Sequence, residues 1–524
     1  MPSICTSLRL LALVSAFTQQ FTAAEPSQST SDRCLLLAQN TSFKDTTIIS
    51  STRLAANPSV QPWGVPCGSA PVPVSVPLCR VQFSVRTSNE SEVKAEAWLP
   101  DEWYGRFLGI GNAGSGGCID YSTLNYGSSL HFASFASNNG HDGDIGLPFL
   151  HHPQVLQDFA SRSIHALSVA GKRIVKAYYT RPHSKSYFIG CSQGGRQGTY
   201  SALHWPKDFD GILAGAPVTN LHFVLGWLGL MSRYTGAPAG MSSPSFIPRE
   251  LWAAVRREIL KQCDGVDGVV NGIVDDGEAC RFRPEVLACS TLGGEEGVER
   301  LTEPQLEAVR KVYSALVGGD GEVLFFGYSL GADPLTVFDP LFGGSLFPYA
   351  NDWWKYAIYQ DPDHDFSNFS LADIFAANEL DPFEVSTISG EFQELHARGG
   401  KFLTYTGTHD QLVPAGNAKR AYTLALQSMG KRAMSAFYRL FLVPGMDHCG
   451  SPFSEGPFRI GHNAFSVPPV NDTEHNVLLA LVDWVEGGRA PERVVGTGGE
   501  GEERVLCRHP LRSVWDGGRW VCKL

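Results

Sequence analysis

The sequence predicts an α/β fold: a parallel sheet covered by helices on both faces and interrupted by one large insertion. Three observations predict it. Residues 81–217 alternate strand-like and helix-like patterns, residues from about 218 to 395 break that rhythm, and from 400 onward it returns. Strands alternating with helices imply parallel pairing with both faces covered. The expected division is therefore 25–217 and 396–524 in the α/β domain, with 218–395 as an inserted lid.

The first 24 residues read as a secretory signal. Arg9 stands beside the apolar run "LLALVSAF", and the small residues Thr22, Ala23 and Ala24 in "FTAAEPS" put cleavage near Ala24. A membrane anchor is the poorer reading, because Gln19 and Gln20 cut the run short of a bilayer span. Nothing downstream is long and apolar enough to span either. Next, "VKAEAWLP" and "RFLGIGNAG" read as strands ending in turns, and "PQVLQDFASRSIHALSVAGKRIVKAYY" carries apolar residues at helical spacing. "SYFIGCS" and "GILAGAP" are short buried strands. The insertion is rich in Gly, Pro, Asp and aromatic residues, with only scattered helices such as "RELWAAVRREILKQC" and "EPQLEAVRKVYSAL". The closing rhythm is "KFLTYTG", "GNAKRAYTLALQSM", "YRLFLVPG" and "NVLLALVDWVEGG".

A length of 524 residues with 43% hydrophobic and 18% charged content suits an ordinary globular protein with a large core. The net charge of −11 excludes a nucleic-acid binder, since no basic surplus exists to neutralise phosphates. The mature chain is expected outside the cell, with no membrane partner. Twelve cysteines become eleven once Cys5 leaves with the signal, so in an oxidising compartment most pair and one thiol is left over. Four glycosylation sequons, at Asn40, Asn89, Asn368 and Asn471, fit the same compartment.

Two Gly-x-Ser-x-Gly motifs compete for attention. A nucleophile elbow needs a buried strand before the serine and a helix after it, so that the hydroxyl projects above the sheet. Ser192 has both: "SYFIG" precedes it and "GGRQGTYSALHW" can open a helix, while Gly190 and Gly194 give the turn its clearance. Ser329, in "GYSLG", has "EVLFF" before it but Pro334 soon after, which disfavours a helix there. Ser192 is the expected site and Ser329 a loop residue.

An acid and then a histidine should follow the serine along the chain. "KFLTYTGTHDQLVP" places Asp410 just past a strand, and "YRLFLVPGMDHCG" places His448 after a later one. His462, in a Pro-rich loop, and His475, at the start of a helical pattern, are poorer candidates. Cys191 precedes the serine and Cys449 follows the histidine. If Ser192 and His448 meet, these cysteines come near bridging distance, and a disulfide is the expected state in a secreted protein.

"CS" at 191–192, Asp410 and "HC" at 448–449 resemble the CS-D-HC constellation of the tannase/feruloyl esterase family. The likeness runs along nearly the whole mature chain, through "LCRVQFSV", "AEAWLP", "GRFLGIGNAG", "NNGHDGD", "DFASRSIH", "GCSQGGRQG", "DFDGILAGAP" and "FLVPGMDHCG". The "AEAWLP", "GHDG" and "DFASRSIH" stretches look most like fungal type B feruloyl esterases. The resemblance implies an α/β-hydrolase core with an inserted lid, Ser192 as nucleophile, His448 as base, Asp410 as its partner, and a Cys191–Cys449 bridge. It further implies bridges Cys34–Cys79, Cys67–Cys118, Cys263–Cys280 and Cys507–Cys522, and leaves Cys289 without its usual partner.

The resemblance also implies a structural calcium site in the lid, and no organic cofactor is expected. "CDGVDGVVNGIVDDGEAC" offers side-chain oxygens at Asp264, Asp267 and Asn271 on a loop bent by glycines, a donor set for a hard cation. The resemblance adds the carbonyls of Val269 and Ile273, and places Asn271 where the family usually has Asp.

The chemistry implied is two-step ester hydrolysis through an acyl-enzyme. One oxyanion donor is the N–H of Gln193, and the second comes from the "GNAGSGG" loop. Gly114 is its candidate, although Ala113 stands where a glycine is common and leaves the choice of N–H open. The expected substrates are hydroxycinnamoyl esters of plant polysaccharide or of a small alcohol. Galloyl esters are the alternative, and a non-catalytic binding protein on a hydrolase scaffold is the third reading. Trp353, Trp354 and Tyr356 either line a phenol pocket or pack the lid's own core.

Overall fold

Nine strands form one mixed sheet in a computed structural model of the chain, which describes residues 30–40, 43–63, 70–275, 277–289, 300–450, 457–499 and 501–524. The predicted signal over 1–24, Cys67 and the side chain of Asn40 lie outside the described residues. The strands are β1 (Thr46–Leu54), β2 (Leu78–Arg86), β3 (Glu92–Pro100), β4 (Arg106–Ile110), β5 (Ala133–Ser137), β6 (Lys185–Cys191), β7 (Gly211–Gly215), β8 (Lys401–Gly407) and β9 (Tyr438–Val443).

Their order across the sheet is β1-β2-β3-β5-β4-β6-β7-β8-β9. The first three pairings are antiparallel and all later ones parallel. A short link over 87–91 joins β2 to β3, whereas each parallel step needs a crossover, and helices fill those crossovers. β5 and β7 are buried along their whole length, as strands covered on both faces must be.

The helices used below are α1 (Tyr121–Ser129), α2 (Ser163–Tyr179), α3 (Gln193–His204), α4 (Leu221–Tyr234), α5 (Arg249–Cys263), α6 (Glu303–Tyr313), α7 (Leu371–Leu380), α8 (Ala415–Phe437) and α9 (Val477–Gly487). On one face of the sheet, Ile164, Leu167 and Ile174 of α2 and Tyr422 of α8 pack with Phe107, Phe188 and Phe402. On the other face, Leu124 of α1 and Leu478, Leu481 and Trp484 of α9 pack with Tyr187, Leu213 and Leu403. This is the α/β-hydrolase layering, with a sheet between two helical layers. α8 runs past its predicted end at 429 to Phe437, with a break at Gly430 (φ +75°).

Between β7 and β8 no strand among the described residues joins this sheet, and the chain builds a third core. Trp227 and Met231 of α4, Trp252 and Ile259 of α5, and Val309 and Val312 of α6 are its centre. A capping box, Thr302 with Gln305, and a proline in the first turn start α6 where "LTEPQ" stands. α4 departs from the expectation of scattered helices after residue 218. Its sequence, "LHFVLGWLGLMSRY", is apolar on nearly every side because the helix is buried all round, so no amphipathic period announces it.

Disulfides join Cys34 to Cys79, Cys191 to Cys449, Cys263 to Cys280 and Cys507 to Cys522. Cys118 is also disulfide-bonded, and Cys289 is an exposed free thiol. Asn89, Asn368 and Asn471 are exposed. No helix among the described residues is long and apolar enough to cross a membrane.

Candidate active site

Ser192 occupies the one-residue turn between β6 and α3, with φ +60° and ψ −119°. Such a backbone costs a non-glycine residue about 1–3 kcal/mol and persists only where its surroundings over-determine it. The glycines around it supply that constraint. A Cβ on Gly190 would lie 2.8 Å from the Gly194 backbone, and one on Gly195 would lie 2.3 Å from the Gly215 carbonyl oxygen. Helix α3 therefore sits directly on β7, and the Ser192 N–H donates to that same Gly215 oxygen at 3.0 Å. Ser329 lies in an irregular loop, and its hydroxyl donates 2.7 Å to the Asp410 carbonyl.

Asp410 follows β8 and is fully buried. Its Oδ1 accepts from the N–H groups of Leu412 (2.9 Å) and Val413 (2.7 Å). Both carboxylate oxygens lie 3.0 Å from Nδ1 of His448. His448 opens a short turn after β9, and its N–H donates to Gln411 Oε1 at 2.8 Å. Burial alone would depress this imidazole, but the Asp410 carboxylate outweighs it and raises the pKa above the ordinary value. His462 instead donates from Nε2 to the Cys449 carbonyl at 3.0 Å, and burial keeps it neutral, at about 4. His475 pairs with Asp472 at 2.7 Å.

The Cys191–Cys449 bridge, with 5.9 Å between α-carbons, ties the elbow to the histidine turn. Ser192, Gln193 and His448 line one cavity of about 540 Å³. To its apolar wall the insertion contributes Leu221, Val224, Leu225 and Leu228 of α4 and Trp353, and the α/β domain contributes Phe149, Phe159 and Val413. Its polar wall includes Asp120, Thr123 and Asn463. Of the three insertion aromatics singled out above, only Trp353 reaches the cavity; Trp354 is fully buried and Tyr356 packs against the insertion's core.

Gln193 begins α3, where the first amides have no intrahelical acceptor. In the facing loop, Gly111 N–H bonds to Ile189, Asn112 N–H to Gln197 Oε1 (2.9 Å), Ser115 N–H to Asp144 Oδ1 (2.6 Å) and Gly116 N–H to Ala113. The N–H groups of Ala113 and Gly114, both on the cavity wall, have no acceptor among the described residues. Ala113 and Gly114 thus line the same cavity as Ser192 and Gln193.

The loop after α5 gathers its oxygens by folding on itself. Asp264 accepts from the N–H groups of Asn271 (3.1 Å) and Gly272 (2.9 Å), and Asp267 from Val269 (2.9 Å). Gly268 (φ +90°) and Gly272 (φ +79°) take the left-handed backbone that closes it. Asp267 Oδ2 and Asp275 Oδ1 are buried without a partner, and burial pushes the Asp275 carboxyl up to about 7 although Arg504 opposes it. Buried, unpartnered carboxylate oxygens fit an oxygen-liganded cation. No group of three or more His, Cys, Asp or Glu that could hold a metal occurs among the described residues, so such a site depends on Asn271 and on carbonyls. Just before Asp275, the Val274 N–H donates 3.0 Å to Nε2 of His409, the neighbour of Asp410.

Several site residues escape sequence reasoning. Arg196, with no exposure at all, bonds Gln193 Oε1 and the carbonyls of Phe159, Ala160 and Val385, locking α3 to distant segments. Gln197 joins Asn112 to Asn139, and Gln411 fixes the His448 turn. A charged residue inside the glycine-rich start of a buried helix was the only available signal.

A family profile described as tannase and feruloyl esterase matches residues 79–341 and 366–522. A protein named probable feruloyl esterase B-1 from Aspergillus flavus is 39% identical over 460 residues, 86% of each chain. The crystal structure of feruloyl esterase B from Aspergillus oryzae superposes with a TM-score of 0.90 at 33% identity, covering 94% of this chain and all of that one. Tannin acyl hydrolase from Aspergillus niger shares the fold, with a TM-score of 0.74 at 20% identity over 94% of this chain and 96% of its own.

Proposed function

The chain belongs to the tannase and feruloyl esterase family, and from that premise we propose that it is a secreted serine esterase cleaving hydroxycinnamoyl esters of plant cell-wall polysaccharide. The observation that carries this reading is the Asp410–His448 pair, bridged through Cys449 and Cys191 to the strained Ser192 turn in one cavity.

In the reaction, Nε2 of His448 takes the proton of Ser192 Oγ as the oxygen bonds to the ester carbonyl carbon. Asp410 holds Nδ1–H toward itself, which keeps Nε2 free to act as base. The oxyanion is held by the Gln193 N–H and by Ala113 or Gly114. The alcohol leaves with the proton from His448, and water activated by the same nitrogen then releases the acid. The apolar α4 wall suits an aromatic acyl group and the polar wall a hydroxylated alcohol. The 218–395 insertion acts as the lid over this cavity. Calcium held by Asp264, Asp267, Asn271 and the carbonyls of Val269 and Ile273 would supply rigidity and no chemistry.

The test compares methyl ferulate, methyl caffeate and methyl gallate as substrates, with Ser192→Ala as control. Hydrolysis of the first two, abolished in Ser192→Ala, is expected. Faster gallate hydrolysis would reassign the substrate class, and an active Ser192→Ala would end the serine-esterase reading.

A further inference from the structure

The loop that carries the second oxyanion donor is not self-supporting. Gly114 sits in left-handed backbone (φ +56°) between Ala113 and Ser115; Gln197 anchors the loop at Asn112 and Gly143 at Gly117, and the bond made to the turn itself is Ser115 N–H to Asp144 Oδ1, at 2.6 Å. The other oxygen of Asp144 accepts the hydroxyl of Tyr349 at 2.5 Å. Tyr349 belongs to a short helix of the insertion, Pro348–Asp352. One turn along, Asp352 returns the contact by accepting the Gly146 N–H at 2.8 Å. Two carboxylates, one from each partner, thus stitch residues 144–146 to residues 349–352. Gly114 rests directly on the junction: a Cβ there would lie 2.3 Å from Asp144 Oδ1 and 2.7 Å from the Tyr349 hydroxyl. Burial and the Asp144 charge raise the Tyr349 pKa, so the phenol stays protonated as the donor of the pair.

We propose that Asp144 is a positioning residue for the oxyanion donors, and that Tyr349 is the group through which the insertion holds it in place. Asp144 does not line the cavity, so it acts on the transition state only through the Ala113–Ser115 turn. Tyr349 does line it, but its hydroxyl is committed to Asp144. The alignment of the donors then depends on how the insertion is seated, although no insertion residue need touch the oxyanion. This inference rests on the esterase reading above.

Tyr349→Phe keeps the ring and removes only the bond to Asp144. Because a whole oxyanion donor is worth roughly 10²–10³ in kcat, loosening one is expected to lower kcat about tenfold with KM within about twofold. Asp144→Ala should lose more, and adding Tyr349→Phe to it should change nothing further, since the two act as one unit. An aryl boronic acid, which becomes tetrahedral on Ser192, should bind the Tyr349→Phe variant more weakly by the factor lost in kcat, while ferulate, a planar product, binds unchanged. Assays use methyl ferulate and 4-nitrophenyl acetate, with Ser192→Ala alongside. An unchanged kcat in Tyr349→Phe, or a loss confined to KM, overturns the inference while an inactive Ser192→Ala leaves the esterase reading standing. An active Ser192→Ala, or a wild-type chain inert to both esters, removes the two together.

Discussion

Replacing Asp410 with Asn tests the acid–base assignment most sharply. The carboxylate accepts two backbone N–H groups at Oδ1 and faces His448 Nδ1 with both oxygens at 3.0 Å. An asparagine has one oxygen to give. The Leu412 and Val413 amides claim it, which turns the NH₂ toward Nδ1 and sets donor against donor. The imidazole escapes by moving its proton to Nε2, where it blocks the nitrogen that must accept from Ser192. A base in the wrong tautomer costs roughly 10⁴ in kcat, or about 5.5 kcal/mol at 1.36 kcal/mol per tenfold. The pH profile adds an independent sign. In the wild type, His448 is raised above 6.5, so the acid limb of kcat/KM should lie above that value. In the variant the Asp410 charge is gone and burial, the largest influence, is opposed only by the smaller effect of Asp447, so the limb should move below 6.5. The assay is initial-rate hydrolysis of methyl ferulate between about pH 5 and 9. A variant within tenfold of wild type, or a limb that stays above 6.5, would refute the reasoning.

Three further outcomes follow from the geometry. The Cys191–Cys449 bridge spans 258 residues, so its removal as Cys191→Ser/Cys449→Ser should cost up to about 5.5 kcal/mol in urea unfolding by the loop-entropy relation, and should also lower kcat in native buffer; wild-type kcat would show that the bridge does not hold the site. Chelation with EDTA should lower the melting temperature, because a ligand bound only by the folded state stabilises it, and an unchanged melting curve would count against calcium in the 264–273 loop. Ser329→Ala removes one hydroxyl bond to the Asp410 carbonyl, worth about 1 kcal/mol, so activity should stay within several-fold; inactivation equal to that of Ser192→Ala would reverse the choice between the two serines.

What the sequence could disclose depended on how local each cause was. Strands β6, β7 and β8 announce themselves because burial on both faces selects short runs dominated by apolar, aromatic and β-branched residues. The elbow is legible because the turn at Ser192 needs glycines within three residues of it. Asp410 and His448 could be found because the fold dictates their order and each follows a strand. The α4 helix could not be found, since complete burial erases the period that marks a surface helix. Asp144 and Tyr349 stand 205 residues apart and meet only when the insertion docks. Arg196 serves carbonyls 36, 37 and 189 residues away, which no spacing rule encodes.

The bridge from Cys191 to Cys449 also closes a ring of chain that contains β7, the entire insertion, β8 and β9. A protease that cuts once anywhere between 192 and 448 opens this ring without freeing a fragment. Ser192 and His448 stay on one covalent body, migrating as a single species on a non-reducing gel and as two after reduction. Activity lost after such a nick would therefore report displaced geometry, never the departure of half the site.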